Sequence, residues 1–151
     1  EKHKKAKLII FDLDGTLILS KANMDPEMAS LIQRLLEKKL VAVIGGRKYE
    51  QFQKQFLAKL RMPKELFKNL FLFPTTAASF YRYADGSWRQ VYVEKLSDDE
   101  KKRIMEALKK TFKELGYSHP QKIYGEFIED RGTQITFSAY GSTAPLAVRS
   151  K

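Results

Sequence analysis

The chain has 151 residues, a net charge of +10, 43% hydrophobic and 30% charged residues, and no cysteine. That length holds one ordinary core, or a small core with part of a second lobe; no apolar run approaches the roughly 20 residues a membrane helix needs, and no signal-peptide pattern opens the chain. Absence of cysteine removes disulfides, thiolate metal sites and cysteine nucleophiles, and suits a reducing compartment, so a cytoplasmic location is expected.

Leu8-Ile9-Ile10-Phe11 is a continuous apolar run, the pattern of a strand buried on both faces of a parallel sheet. Asp25-Pro26-Glu27 opens a helix, with Asp25 as cap and Pro26 at the first helical position. Met28, Leu31, Ile32, Leu35 and Leu36 extend it at helical spacing to about Lys39. Leu40 to Ile44 is a second buried strand. Tyr49, Phe52, Phe56 and Leu60 mark a second helix, and Leu70 to Phe73 a third strand. Alternation of strand and helix predicts an α/β fold with a Rossmann-like parallel sheet.

The pattern then changes. Ser79 to Tyr83 and Arg89 to Val93 flank Asp85-Gly86, a hairpin signal. Ser97 and Glu100 form a capping box opening a helix whose Ile104, Leu108, Phe112 and Leu115 share a face, with Gly116 just beyond. Two strand-like runs follow, Ile123 to Ile128 and Gln134 to Tyr140, separated around Asp130-Arg131-Gly132. The expected division is a catalytic core over 1–85 and a smaller, incomplete α+β lobe over 86–151. Basic residues are spread along the chain and interleaved with acids, as in Glu37-Lys38-Lys39, so the charge reads as a solvated surface and not a nucleic-acid stripe.

Chemistry concentrates in Phe11-Asp12-Leu13-Asp14-Gly15-Thr16-Leu17, at the carboxyl end of the first strand, where open α/β sheets place their sites. Two carboxylates brought into one small volume need a neutralising cation, and Mg²⁺ also offsets the charge of an incoming phosphate. One carboxylate can attack phosphorus while the other, protonated, donates to the leaving oxygen. Gly15 permits a tight turn, and the Thr16 hydroxyl can lock it. At Ile44-Gly45-Gly46-Arg47, main-chain N–H groups at a helix start can meet a phosphate; Arg47 reads either as a phosphate contact or as a surface residue.

The heptad from Phe11 to Leu17 resembles the first motif of the haloacid dehalogenase superfamily. That resemblance implies Asp12 as nucleophile and metal ligand, and Asp14 as acid/base residue whose main-chain carbonyl is a second ligand to Mg²⁺. Thr16, Gly45 and Gly46 would then bind phosphate. Gly45 departs from the Ser or Thr many members carry there, and Gly-Gly is similar to the phosphomannomutases of the superfamily. The stretch from Asp25 to about Ser142 resembles the phosphomannomutase and Cof-like sugar-phosphatase subfamily, which inserts an α/β cap. Ile128 to Ser142 resembles the cap segment that grips a bisphosphorylated sugar, with Arg131 and Ser138 as substrate contacts. Thr136 and Ser142 fall where the mutases carry Asn and a second Arg, which favours hydrolysis of a monophosphate over a mutase reaction.

The resemblance also calls for a lysine and a late Gly-Asp-x-x-x-Asp segment, and nothing after the cap-like stretch supplies them. An amino-terminal fragment is therefore expected, with sheet edges and apolar faces uncovered and a tendency to low stability or homo-oligomerisation. The implied partner is a small phosphorylated metabolite, with a sugar phosphate foremost. A phosphohexomutase and a catalytically silent anion- or partner-binding domain are the alternatives. His3 and His119 read as exposed loop residues, and Phe80, Tyr81, Tyr83 and Trp88 as hairpin packing.

Overall fold

Three parallel strands organise the first unit of the computed structural model, which describes residues 5–19 and 22–149. They are β1 (Leu8–Asp12), β2 (Leu40–Ile44) and β3 (Leu70–Phe73), joined antiparallel to β4 (Ser79–Ala84) and β5 (Ser87–Val93) in the order β1-β2-β3-β4-β5. Asp12 pairs with Ile44, and Ile44 with Phe73, so the three parallel strands end level with one another. The expected α/β sheet is present, with an antiparallel hairpin completing it.

Helix α1 (Pro26–Leu36) starts as its sequence dictates: Asp25 accepts a 2.8 Å hydrogen bond from the Met28 N–H, and Pro26 occupies the first turn. It stops three residues short of Lys39, which lies in the turn leading to β2. The second predicted helix breaks at Phe56 into α2 (Tyr49–Gln55) and a 3₁₀ turn (Leu57–Lys59). Phe52, Phe56, Leu57 and Leu60 are all nevertheless buried, so the apolar spacing reports burial correctly although the backbone changes type. A further 3₁₀ turn at Lys64–Asn69, absent from the sequence reading, delivers the chain to β3.

These helical pieces cover one face of the sheet. Val41, Val43, Leu70 and Leu72 are fully buried beneath Ile32, Leu36, Phe52 and Phe56. Tyr81 stacks on Tyr49 with ring centroids 3.7 Å apart, and burial pushes the Tyr49 phenol up to about 12. Tyr83 and Trp88 pack around Phe67, as hairpin residues were expected to do. Strands paired in register put Leu8, Ile10, Leu40, Phe71, Phe73 and Phe80 on the opposite face. Leu8 is 44% exposed and Ile10 59% exposed, so β1 is not buried on both faces as its apolar run suggests. An apolar run states what a strand is suited to, and here the first strand is an edge with one face packed.

The hairpin turns at Asp85 (φ 50°) and Gly86 (φ 75°), the two left-handed residues a type I′ connection requires. Because β5 is the sheet partner of β4, the first unit extends to Glu94 and the second begins at Lys95, instead of dividing at 85/86. In the second unit, α3 (Asp98–Glu114) carries the predicted capping box: Ser97 Oγ accepts from the Glu100 N–H, and the Glu100 carboxylate accepts from the Ser97 N–H at 2.8 Å. These bonds hold the Glu100 carboxyl below its usual range. Strands β6 (Ile128–Asp130) and β7 (Ile135–Phe137) are three residues each, much shorter than the runs predicted. Residues 123–127 lie outside the ladder, tied to the residues after β7 by the Tyr124 N–H donating to the Tyr140 carbonyl, the Phe127 carbonyl accepting from Ser138 and the Glu126 carbonyl accepting from Ser142. A short α4 (Leu146–Arg149) follows. His119 is exposed as expected, but its ring lies against Phe127 at 4.3 Å and Tyr117 at 5.2 Å; His3 lies outside the described residues.

One-sided packing sets a test. Leu72→Ala is expected to cost about 2–5 kcal/mol of stability, whereas Ile10→Thr should stay within about 0.5 kcal/mol of the parent. Urea unfolding of the two variants checks this; equal losses would mean that both faces of the sheet are covered.

Candidate active site

The first loop leaves β1 at Leu13, which is fully buried and donates its N–H to the Ile44 carbonyl at 3.0 Å. Its own carbonyl accepts from Leu17 and Ile18, each at 3.1 Å, and Gly15 donates to Ile18 at 2.7 Å. Gly15 has φ 78°, the left-handed conformation expected of it. Main-chain bonds close this turn, and the Thr16 side chain is exposed instead of locking it. Leu13, Leu17 and Ile18 point into the core, so the alternation leaves Asp12, Asp14 and Thr16 toward the open side.

Asp12 is exposed and Asp14 half-buried. Asp14 is gripped by Arg47, whose Nε lies 3.1 and 3.0 Å from the two carboxylate oxygens and whose second guanidinium arm reaches Oδ1 at 2.5 Å. The other arm donates to Gln55 Oε1 on α2. Arg47 itself is only 5% exposed. Of its two sequence readings, that of a surface residue fails: the guanidinium is a buried fork that fixes the Asp14 carboxylate. Only its position after a Gly-Gly at a strand end hinted at this.

Gly45 is buried beneath the first loop. A Cβ there would lie 3.0 Å from Leu13 Cβ and 3.3 Å from the Phe52 ring, so a side chain at this position would crowd both. Gly46 is exposed beside it. Across β2, the turn after β3 passes through three consecutive non-glycine residues in the left-handed region, Thr75 (φ 50°), Thr76 (φ 58°) and Ala77 (φ 66°). Each such residue costs roughly 1–2 kcal/mol, and the surrounding bonds impose the conformation. The Thr75 N–H donates to the Arg47 carbonyl and the Thr76 N–H to the Gly45 carbonyl, both at 2.9 Å, while the Tyr92 hydroxyl donates to the Ala77 carbonyl at 3.0 Å. Nothing in the sequence pattern pointed to this turn.

Asp12, Asp14, Gly45 and Gly46 thus gather at the carboxyl ends of adjacent strands, with Thr16 on the same loop. Arg131 and Ser138 belong to the second unit. Arg131 is held by Glu129, with Nε and a terminal nitrogen at 3.1 and 2.9 Å from Oε2, and Ser138 sits just past β7 with its N–H on the Phe127 carbonyl. Among the described residues no three His, Asp or Glu side chains cluster as a ready-made metal cage. The oxygen donors at the first loop do suit Mg²⁺, which typically takes one or two protein oxygens together with phosphate and water.

A family model described as haloacid dehalogenase-like hydrolase matches residues 9–145, and the chain belongs to that family. It is 25% identical over 144 residues to the phosphomannomutase of Schizosaccharomyces pombe, covering 95% of this chain and 54% of that protein. Human phosphomannomutase 1 is 35% identical over a 54-residue stretch, 36% of this chain and 21% of that protein. Among solved structures, the fold resembles Plasmodium falciparum IMP-nucleotidase (TM-score 0.64, 19% identity, 89% of this chain and 36% of that one). It also resembles a haloacid dehalogenase-like hydrolase from Bacteroides thetaiotaomicron (TM-score 0.53, 22% identity, 70% and 38%). The chain therefore spans about half the length of its fission-yeast relative and less of the others.

The ion pair has an asymmetry that mutation can read. Asp14→Ala strips a buried cation of its partner and is expected to cost about 3 kcal/mol, the low end for such a loss because Asp14 is partly open to water. Arg47→Met removes the buried charge as well and should cost only about 1 kcal/mol. Chemical denaturation of both variants tests the order; the reverse order would mean that the guanidinium is solvated.

Proposed function

We propose that the protein is a Mg²⁺-dependent phosphoric monoester hydrolase that works through an aspartyl-phosphate on Asp12. What carries this reading is the placement of an exposed Asp12 and a clamped Asp14 at the end of β1, beside Gly45 and Gly46, in a chain of the haloacid dehalogenase-like family. In this reading an Asp12 oxygen attacks phosphorus, the bond to the leaving oxygen breaks, and Asp14 in its acid form gives that oxygen a proton. Water then attacks the phospho-Asp12, losing its proton to Asp14 and releasing inorganic phosphate. Asp12 and the Asp14 carbonyl would hold Mg²⁺, which when bound offsets charge on the phosphoryl oxygens.

Arg47 shapes both halves of the cycle. Its fork fixes where the Asp14 carboxylate stands, ready to accept a proton from the attacking water. The same fork sets where Asp14 stands when it gives a proton to the leaving oxygen.

The substrate is a small phosphorylated metabolite, with a sugar phosphate first in rank and the second unit, from Lys95, serving as the substrate-selecting cap. Arg131 and Ser138 are its candidate contacts, and Arg131 must exchange its Glu129 partner to serve. A phosphohexomutase is the second reading, favoured by the alignment with a phosphomannomutase over 95% of this chain. Ser142, at a position where the mutases carry an arginine, tells against it.

Phosphate release from an aryl phosphate and a panel of hexose phosphates, with Mg²⁺ or EDTA, tests the proposal. Hydrolysis should need Mg²⁺ and should fall roughly a thousand-fold or more in Asp12→Asn, the scale of losing a nucleophile. Turnover that survives Asp12→Asn would sink the mechanism, and conversion of hexose phosphates dependent on a sugar bisphosphate would select the mutase.

A further inference from the structure

The turn that follows β3 is held in an unfavourable conformation directly against the second loop of the site. Its two threonines face opposite ways. Thr75 is buried, with its hydroxyl 3.4 Å from that of buried Ser79, which in turn donates to the Pro74 carbonyl at 3.4 Å. Thr76 is exposed, and its Oγ1 lies 3.9 Å from the point a Cβ on Gly46 would occupy. Its N–H, bonded to the Gly45 carbonyl, locks it at that height above the sheet. Gly45 is buried, its N–H is spent on the Phe73 carbonyl at 3.2 Å, and a side chain there would crowd Leu13 and Phe52, so an anion beside exposed Gly46 meets neither that N–H nor a hydroxyl at 45. On the far side of those glycines from Asp12, the neighbouring hydroxyl is that of Thr76.

We propose that Thr76 is a phosphate-binding residue, whose hydroxyl donates to an oxygen of the phosphoryl group held beside Gly46. This rests on the reading of Asp12 as phosphoryl acceptor, and it assigns the third strand's turn to the site. It also accounts for the left-handed run. A glycine at 76 would relieve the conformation but supply no donor, whereas threonine supplies the donor and depends on the bonds from Gly45, Arg47 and Tyr92 to stay in place.

Binding of inorganic phosphate in the presence of Mg²⁺ tests this on the whole chain, by calorimetry and by the amide shifts of Gly46 and Thr76. Thr76→Ala should weaken phosphate about 10- to 100-fold, the worth of one hydrogen bond to a charged group, while Thr76→Ser restores it to within about threefold. Thr76→Gly should melt higher than the parent and still bind phosphate as poorly as Thr76→Ala, a combination that a purely structural role does not produce. Parent-like affinity in Thr76→Ala or Thr76→Gly overturns the role of Thr76 and leaves the Asp12 reading untouched. A parent chain that binds no phosphate overturns both.

Discussion

Leu13 and Gly45 meet with no space between them, and this contact holds the first two loops of the site in one piece. Leu13 is fully buried, its N–H is spent on the Ile44 carbonyl, and its Cβ stands 3.0 Å from where a side chain on Gly45 would begin. The carboxylates on either side of Leu13 are thereby fixed relative to the second strand. A second main-chain clasp, from Gly45 to Phe73 and from Thr76 back to Gly45, ties the third strand's end to the same point. Three loops that are far apart in sequence therefore share one rigid corner, and side chains at that corner inherit its precision without long side-chain networks of their own.

Charge is handled at this corner by burial on one side and water on the other. The Arg47 guanidinium is enclosed, and Asp14 bridges from it to the solvent-facing side, where Asp12 is exposed. A buried arginine alone would be costly, and two carboxylates side by side would repel one another. Together the three residues leave one carboxylate matched by a guanidinium and one facing water, the arrangement on which the proposed binding of Mg²⁺ and phosphate rests.

Much of this was legible from residue order. The capped starts at Asp25 and Ser97, the Asp85-Gly86 turn and the three strands follow from local chemistry that acts within a few residues, and the structure places them where that chemistry says. The heptad at Phe11 marked the first loop because its spacing is itself a local property. What stayed hidden depends on contacts distant in sequence. The partner of Arg47 lies 33 residues away, the exposure of Ile10 depends on what else covers the sheet, and the left-handed course of Thr75 to Ala77 is held by bonds from the loop after β2 and from β5 against the preference of the residues themselves. The break at Phe56 belongs with these: apolar spacing alone does not distinguish an α-helix from an α-helix followed by a 3₁₀ turn.

The tight Asp85-Gly86 hairpin has a consequence for the order in which the molecule comes together. Pairing β4 with β5 closes two residues, a microsecond event, whereas pairing β1 with β2 must first close the whole stretch from Asp12 to Leu40. Non-local parallel pairing is the slow part of such a sheet. Assembly is thus expected to run from the hairpin inward, through β3 and β2, and to add β1 last. Amide protons of Phe80 to Val93 would then gain protection in pulse-labelled exchange before those of Ile9 to Leu13. The strand that carries Asp12 joins a sheet that is already built, so the candidate site comes into being only at the final step of folding.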